Sequence, residues 1–269
     1  MLKQNEQALL KLISSGEGTY GVSIYHFETK ECFEYHSDEL FYSASIIKVP
    51  IMAAVFAHAA EGKCSLSDKI QVREEDVVPG DGIIKHLSPG IEWTIHDLIV
   101  LMIIESDNTA TNVLIDLVGI DQINTYMREW GFVQSHLHHK LQITASRDPE
   151  KMNIVTANEM NEFLNIIAVG SVVSLNACKK MIDIMKQQKM NDLLPSLLPE
   201  VDGVIGIIPN WEIAHKTGYV PGVEHNVGLL YFPGQTYAVS VLSKNVPNRA
   251  EPRRIMGEIG QLLYQVSSN

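Results

Sequence analysis

Trp211-Glu212-Ile213-Ala214-His215-Lys216, Asn226-Val227-Gly228-Leu229-Leu230-Tyr231-Phe232 and Thr236-Tyr237-Ala238-Val239-Ser240-Val241-Leu242 are three short runs rich in β-branched, aromatic and aliphatic residues. Gly218-Tyr219-Val220-Pro221-Gly222 separates the first two and Pro233-Gly234 the last two, so the spacing predicts consecutive strands joined by turns. Beyond Pro252, Ile255, Met256, Ile259, Leu262, Leu263 and Val266 recur with the period of an amphipathic helix. The other end of the chain mirrors this one. Leu2, Leu9, Leu10 and Ile13 suit one face of a helix ended by Ser14-Ser15-Gly16, and residues 20–27 and 31–35 read as a hairpin around Glu28-Thr29-Lys30. Between the two ends the period is helical, at residues 46–60, 95–105, 108–118, 157–169 and 175–188. The expected fold class is α+β, with an antiparallel sheet built from both ends, the terminal helices on one face and a helical region on the other. The expected organisation is one domain, its α/β part from residues 1–44 and 202–269 and its helical part from residues 45–201. No internal repeat or composition-shifted linker interrupts it.

Bulk composition narrows the function. A hydrophobic content of 45% over 269 residues supplies a sizeable core, and a formal net charge of −11 repels phosphate backbones and anionic lipid. Nucleic acid is therefore not an expected partner, and no run approaches the roughly 20 apolar residues that cross a bilayer. The start, Met1-Leu2-Lys3-Gln4-Asn5-Glu6, has no basic-then-apolar signal, so the expectation is a cytoplasmic protein, or an exported one whose leader has been removed. Cys32, Cys64 and Cys178 are widely spaced and odd in number, which reads as single thiols. His136, His138 and His139 lack the helical spacing or nearby carboxylates of a metal site and read as loop residues.

Three short motifs carry chemistry. Ser45-Ile46-Ile47-Lys48 puts a hydroxyl and an amine three positions apart at the start of a predicted helix, on one face. A serine needs a base to become a nucleophile, and a lysine serves if burial among residues such as Ile46, Ile47, Val49, Pro50 and Ile51 favours its neutral form. The unpaired N–H of Ser45 at a helix start would face a developing oxyanion. Ser106-Asp107-Asn108 lies at the break between two predicted helices, where Ser106 would pass a proton to a leaving nitrogen and Asn108 would hold a substrate carbonyl. Lys216-Thr217-Gly218 ends a predicted strand. It offers a cation and a hydroxyl to a substrate carboxylate, a residue without a side chain at Gly218, and the Tyr219 N–H as a second oxyanion donor. His215, one position earlier, would face away by strand alternation and reads as structural.

Each motif alone is common, but all three in this order resemble class A β-lactamases and penicillin-binding proteins. The resemblance extends to Phe41-Tyr42-Ser43-Ala44, Thr109-Ala110-Thr111-Asn112 and His225-Asn226-Val227-Gly228, and so covers nearly the whole chain. It implies a five-stranded antiparallel sheet flanked by helices plus an all-helical region. It also implies a serine acyl-transfer hydrolase acting on a small-molecule amide or ester, with no metal or organic cofactor. The family's deacylation loop has a glutamate followed by proline and soon by asparagine. Here the stretch is Ser146-Arg147-Asp148-Pro149-Glu150-Lys151-Met152-Asn153, with the proline ahead of Glu150. That departure predicts slow release of an acyl group, since a missing base typically costs 10²–10⁴-fold. The family's stacking aromatic at the cleft rim is also missing from Val78-Pro79-Gly80-Asp81-Gly82-Ile83, beside which Lys85 and His86 read as a solvated turn. Three functions stay open: a β-lactam hydrolase, a D-alanyl peptidase or small esterase, and a penicillin-binding protein that is acylated without turnover.

Overall fold

The hydrophobic period at the two chain ends is satisfied by a sheet that both ends build together. The computed structural model describes residues 2–141, 151–200 and 208–268. In chain order the helices are α1 (Leu2–Ser14), α2 (Lys48–Ala60), α3 (Ile95–Ile104), α4 (Asn108–Val118), α5 (Ile120–Glu129), α6 (Ala157–Ala168), α7 (Leu175–Met185) and α8 (Ala250–Ser267). The strands are β1 (Thr19–His26), β2 (Cys32–Tyr35), β3 (Phe41–Tyr42), β4 (Lys69–Gln71), β5 (Glu92–Thr94), β6 (Ile154–Val155), β7 (Glu212–Val220), β8 (Val223–Phe232) and β9 (Gln235–Lys244). Five of them form one antiparallel sheet in the order β2-β1-β9-β8-β7. The N-terminal hairpin thus joins the C-terminal meander through β1 and β9, and β7 is an edge strand.

Two compact units emerge. The first contains described residues 2–46, 156–165, 190–200 and 208–268, the second residues 47–141, 151–155 and 166–189. In the first, Leu2, Leu9 and Ile13 of α1 and Ile255, Met256, Ile259 and Leu263 of α8 pack with Val22, Ile24, Val239 and Val241 of the sheet. Each such buried aliphatic side chain contributes about 1.5–3 kcal/mol. Residues 156–165 and 190–200, expected within the helical part, group with the sheet for identifiable reasons. The Asn161 Nδ2 donates to the carbonyls of Ser23 (2.8 Å) and Ala238 (2.9 Å), and Leu193 and Leu194 join the sheet's core.

In the second unit α2 is buried from Lys48 to Ala57, as expected of a helix apolar almost all round, and α3, α4, α5 and α7 pack against it. Three of these helices begin on side-chain caps: α3 on a Thr94–Asp97 capping box, α4 on Asp107, whose carboxylate accepts the Ala110 N–H at 2.9 Å, and α7 on Ser174, whose hydroxyl accepts the Ala177 N–H at 3.1 Å.

Three readings from the sequence need correction. Helix α5 was not anticipated: Ile120-Asp121-Gln122-Ile123-Asn124-Thr125 is polar, and Gly119 ahead of it signals a stop. Strand β7 runs on through Gly218, Tyr219 and Val220, because Gly218 pairs with His225 inside the ladder and the turn is Pro221-Gly222 alone. The helix predicted over residues 175–188 ends at Met185.

Candidate active site

Lys48 opens α2 fully buried. Its Nζ donates to the Ser106 carbonyl (2.7 Å), the Ser106 Oγ (3.0 Å) and the Asn108 Oδ1 (2.9 Å). Burial disfavours a charge on this amine, whereas the oxygen acceptors around it favour one. Ser106 adopts a left-handed backbone with φ 52° between α3 and α4. Non-glycine residues rarely take that conformation, and here it turns both the carbonyl and the hydroxyl of one serine toward the same amine.

Asp107 and its neighbours tie this turn to residues 78–84. The Asp107 Oδ2 accepts the N–H groups of Ile83 (2.7 Å) and Ile84 (2.9 Å), and the Thr109 Oγ1 accepts that of Val78 at 3.0 Å. Gly80 and Gly82 have φ values of 103° and 113°. A Cβ on Gly82 would collide with the Asp107 carboxylate, and one on Gly80 with the Asn108 amide. Lys85 donates to the Gly80 carbonyl and closes this turn.

The first unit holds the serine and the third motif. Ser45 sits in a 3₁₀ turn, Ala44–Ile47, that leads directly into α2, and Ala44 ahead of it is left-handed at φ 43°. A Cβ built on Gly218 would lie 3.1 Å from the Ser45 nitrogen and 3.2 Å from the Ala44 Cβ. The glycine of the third motif therefore lies against the amide of the serine. On the same strand Lys216 is fully buried with its Nζ donating to the Thr217 carbonyl at 2.8 Å, and the Thr217 hydroxyl donates to the Met190 sulfur at 3.2 Å. The Tyr219 ring is partly exposed beneath the Arg249 guanidinium at 3.6 Å, and Glu224, itself buried, grips that guanidinium with contacts of 2.7 and 2.9 Å.

His215 is fully buried in β7. Its Nδ1 accepts from the Asn226 Nδ2 (2.9 Å), which also donates to the Lys216 carbonyl, and its Nε2 lies 3.3 Å from the Asn191 Oδ1. Burial lowers its pKa to about 3, so the ring is neutral at pH 7.

Lys48, Ser106 and Asn108 are thus brought together in one unit. In the other, Gly218 lies against the Ser45 amide, with Lys216, Thr217 and Tyr219 on the strand that carries it. Asp148 and Glu150 lie outside the described residues. Asn153, which follows them, is buried, and its Oδ1 accepts the N–H groups of His138 (2.8 Å) and His139 (3.0 Å). Sequence reasoning missed Met190, Glu224 and Arg249, because their contacts to Thr217 and Tyr219 join distant positions and no local pattern announces them.

Known proteins resemble this chain over nearly its whole length. The model of a family described as the beta-lactamase enzyme family matches residues 4–267. A beta-lactamase of Rhodobacter capsulatus is 32% identical over 170 residues, covering 62% of this chain and 57% of that protein. The crystal structure of a beta-lactamase from Sphaerobacter thermophilus superposes with a TM-score of 0.90 at 30% identity, covering 98% of this chain and 97% of that one. A mutant of PBP-A, solved as an acyl-enzyme complex with penicillin G, gives a TM-score of 0.86 at 25% identity over 99% of this chain and 97% of its own. With its α+β fold, its five-stranded antiparallel sheet and its residues 4–267 matched, the chain belongs to the beta-lactamase enzyme family.

Proposed function

We propose that this protein opens the β-lactam amide through an acyl-enzyme on Ser45. The observation that supports the reading is the closeness of Gly218 to the Ser45 nitrogen, a bare strand residue beside a serine amide. With Lys48 as the neutral amine, the Ser45 hydroxyl gives its proton to that nitrogen as its oxygen bonds to the lactam carbon. The carbonyl electron pair moves onto oxygen, where the Ser45 and Tyr219 N–H groups stabilise it; one such donor is worth about 10²–10³-fold in rate. Collapse breaks the C–N bond. The leaving nitrogen takes the Ser106 hydroxyl proton, and Lys48, whose Nζ lies 3.0 Å from the Ser106 Oγ, replaces it. An ester on Ser45 remains and Lys48 is neutral again. Water then adds to the ester, the acid departs and Ser45 regains its proton.

Roles in binding follow from donor chemistry. Lys216 and the Thr217 hydroxyl take the substrate carboxylate, Asn108 holds its side-chain carbonyl through Nδ2, and Gly218 leaves room for the acyl group. Since a structural relative is known as an acyl-enzyme with penicillin G, the second reading is a penicillin-binding protein that releases its acyl group slowly. Intact-mass measurement after mixing with penicillin G tests both. An adduct of the penicillin mass that forms and decays, and is missing in Ser45→Ala, is the expected result. A persistent adduct favours the second reading, and no adduct in either protein overturns both.

A further inference from the structure

His225 is fully buried in β8, directly opposite Gly218 in the β7–β8 register, so the two project from the same face of the sheet. Both touch the chain leading to the nucleophile. Gly218 lies against the Ser45 nitrogen, and the His225 Nε2 lies 2.8 Å from the Tyr42 carbonyl, three residues earlier. The same ring meets Phe41 edge-on, with centroids 6.1 Å apart and an interplanar angle of 89°.

The other ring nitrogen fixes the tautomer. The β8–β9 pairing runs from Phe232 opposite Gln235 to Asn226 opposite Val241 and ends there. Just beyond it the Ser243 N–H donates to the His225 Nδ1 at 3.1 Å, so a side-chain nitrogen stands where a ladder carbonyl would be. The Glu224 carbonyl, 3.0 Å from Nδ1, accepts the Ser243 hydroxyl at 2.6 Å. Nδ1 is thus the acceptor, and Nε2 carries the hydrogen given to Tyr42. Burial lowers the ring's pKa to about 4, against backbone hydrogen bonds that raise it, so it is neutral at pH 7.

Between Tyr42 and Ser45 lies Ala44, held in the left-handed region at φ 43°. A non-glycine residue stays there only where its surroundings over-determine it. We propose that His225 is a positioning residue for the nucleophile, its neutral ring bridging the end of the β8–β9 ladder to the Tyr42 carbonyl and so holding the Ala44-Ser45 turn against Gly218. This inference rests on the reading of Ser45 as the nucleophile and adds a residue to which that reading gives no role.

The test compares His225→Phe, which keeps an aromatic ring beside Phe41 but loses both hydrogen bonds, with His225→Gln, whose amide offers one donor and one acceptor. Labelling of Ser45 by penicillin G and by a fluorophosphonate is followed by intact mass, alongside the thermal midpoint and the ¹⁵N spectrum of the histidines. Labelling by both reagents is expected to slow about 10²-fold in the Phe variant, the scale of a displaced reacting group, and to recover in the Gln variant. The wild-type spectrum should show an Nε2–H tautomer for His225 at pH 7. Equal labelling rates in folded wild type and Phe variant, or slowing that only tracks the folded fraction, would overturn the proposal. Should the Phe variant not fold, a wild-type labelling rate in the Gln variant together with the Nε2–H signal supports it, and an Nδ1–H or protonated ring sinks it. If wild type reacts with the phosphonate and not with penicillin, the lactam reading fails while the His225 comparison stands; if Ser45 reacts with neither, both fall.

Discussion

A methyl group on Gly218 would stand 3.1 Å from the backbone nitrogen of Ser45. The same methyl would lie 3.3 Å from the Ile46 Cγ2, so the 3₁₀ turn must give by a few tenths of an ångström. Gly218→Ala is therefore expected to act on both rate and folding. Acylation by penicillin should fall at least about 10-fold through a displaced oxyanion donor, with a stability loss of about 1–3 kcal/mol from overpacking. Stopped-flow acylation and thermal melts measure the two; a melt shift without a rate change would show that the contact is only packing.

Lys48→Ala removes the amine that reaches both oxygens of Ser106. Acylation is expected to drop by about 10²–10⁴-fold, the usual contribution of a positioned proton-transfer group. Single-turnover acylation at wild-type speed in this variant would take the base role away from Lys48.

Asp107 holds three backbone N–H groups, those of Ile83, Ile84 and Ala110. Asp107→Ala removes a helix cap and two further hydrogen bonds, one buried and one partly buried, and is expected to cost about 2–5 kcal/mol. Asp107→Asn keeps one acceptor oxygen and should fall between. Urea unfolding orders the series, and equal midpoints for all three proteins would contradict the bonding described.

Two buried imidazoles set an acid limit. His215 and His225 are held at about 3 and about 4, against 6.5 for the free group, so the unfolded chain binds more protons than the native one between those values. Their contribution is fully present above pH 6.5 and is lost as the pH falls toward 4 and then 3, at about 1.4 kcal/mol per pH unit for each ring. Denaturation curves between pH 7 and 4.5 should show a gentler slope in His225→Gln than in wild type. Parallel curves would mean that His225 titrates alike folded and unfolded.

Local signals in the sequence reached part of this architecture. The period of residues 108–118 gives α4 to the residue, since a cap at Asp107 and a glycine at 119 bound it. The candidates Ser45, Lys48, Ser106 and Asn108 stand out because their chemistry lies in short strings, and the structure brings Lys48, Ser106 and Asn108 together. Strand β7 was truncated in the reading because Gly218 and Pro221-Gly222 look alike as turn signals, and only cross-strand pairing tells them apart. His225 and Met190 gave no sign of their contacts, which reach back 183 positions to Tyr42 and forward 27 to Thr217. Such contacts exist only once distant segments have met.

Ala44 and Ser106, both non-glycine residues in the left-handed region, each store about 1–3 kcal/mol of backbone strain at the two turns that carry the hydroxyls of the proposed mechanism. A laboratory lineage selected for heat survival alone would drift toward asparagine or glycine at positions 44 and 106, relaxing both turns. Its descendants would be hardier and slower, and antibiotic pressure would restore the strained pair.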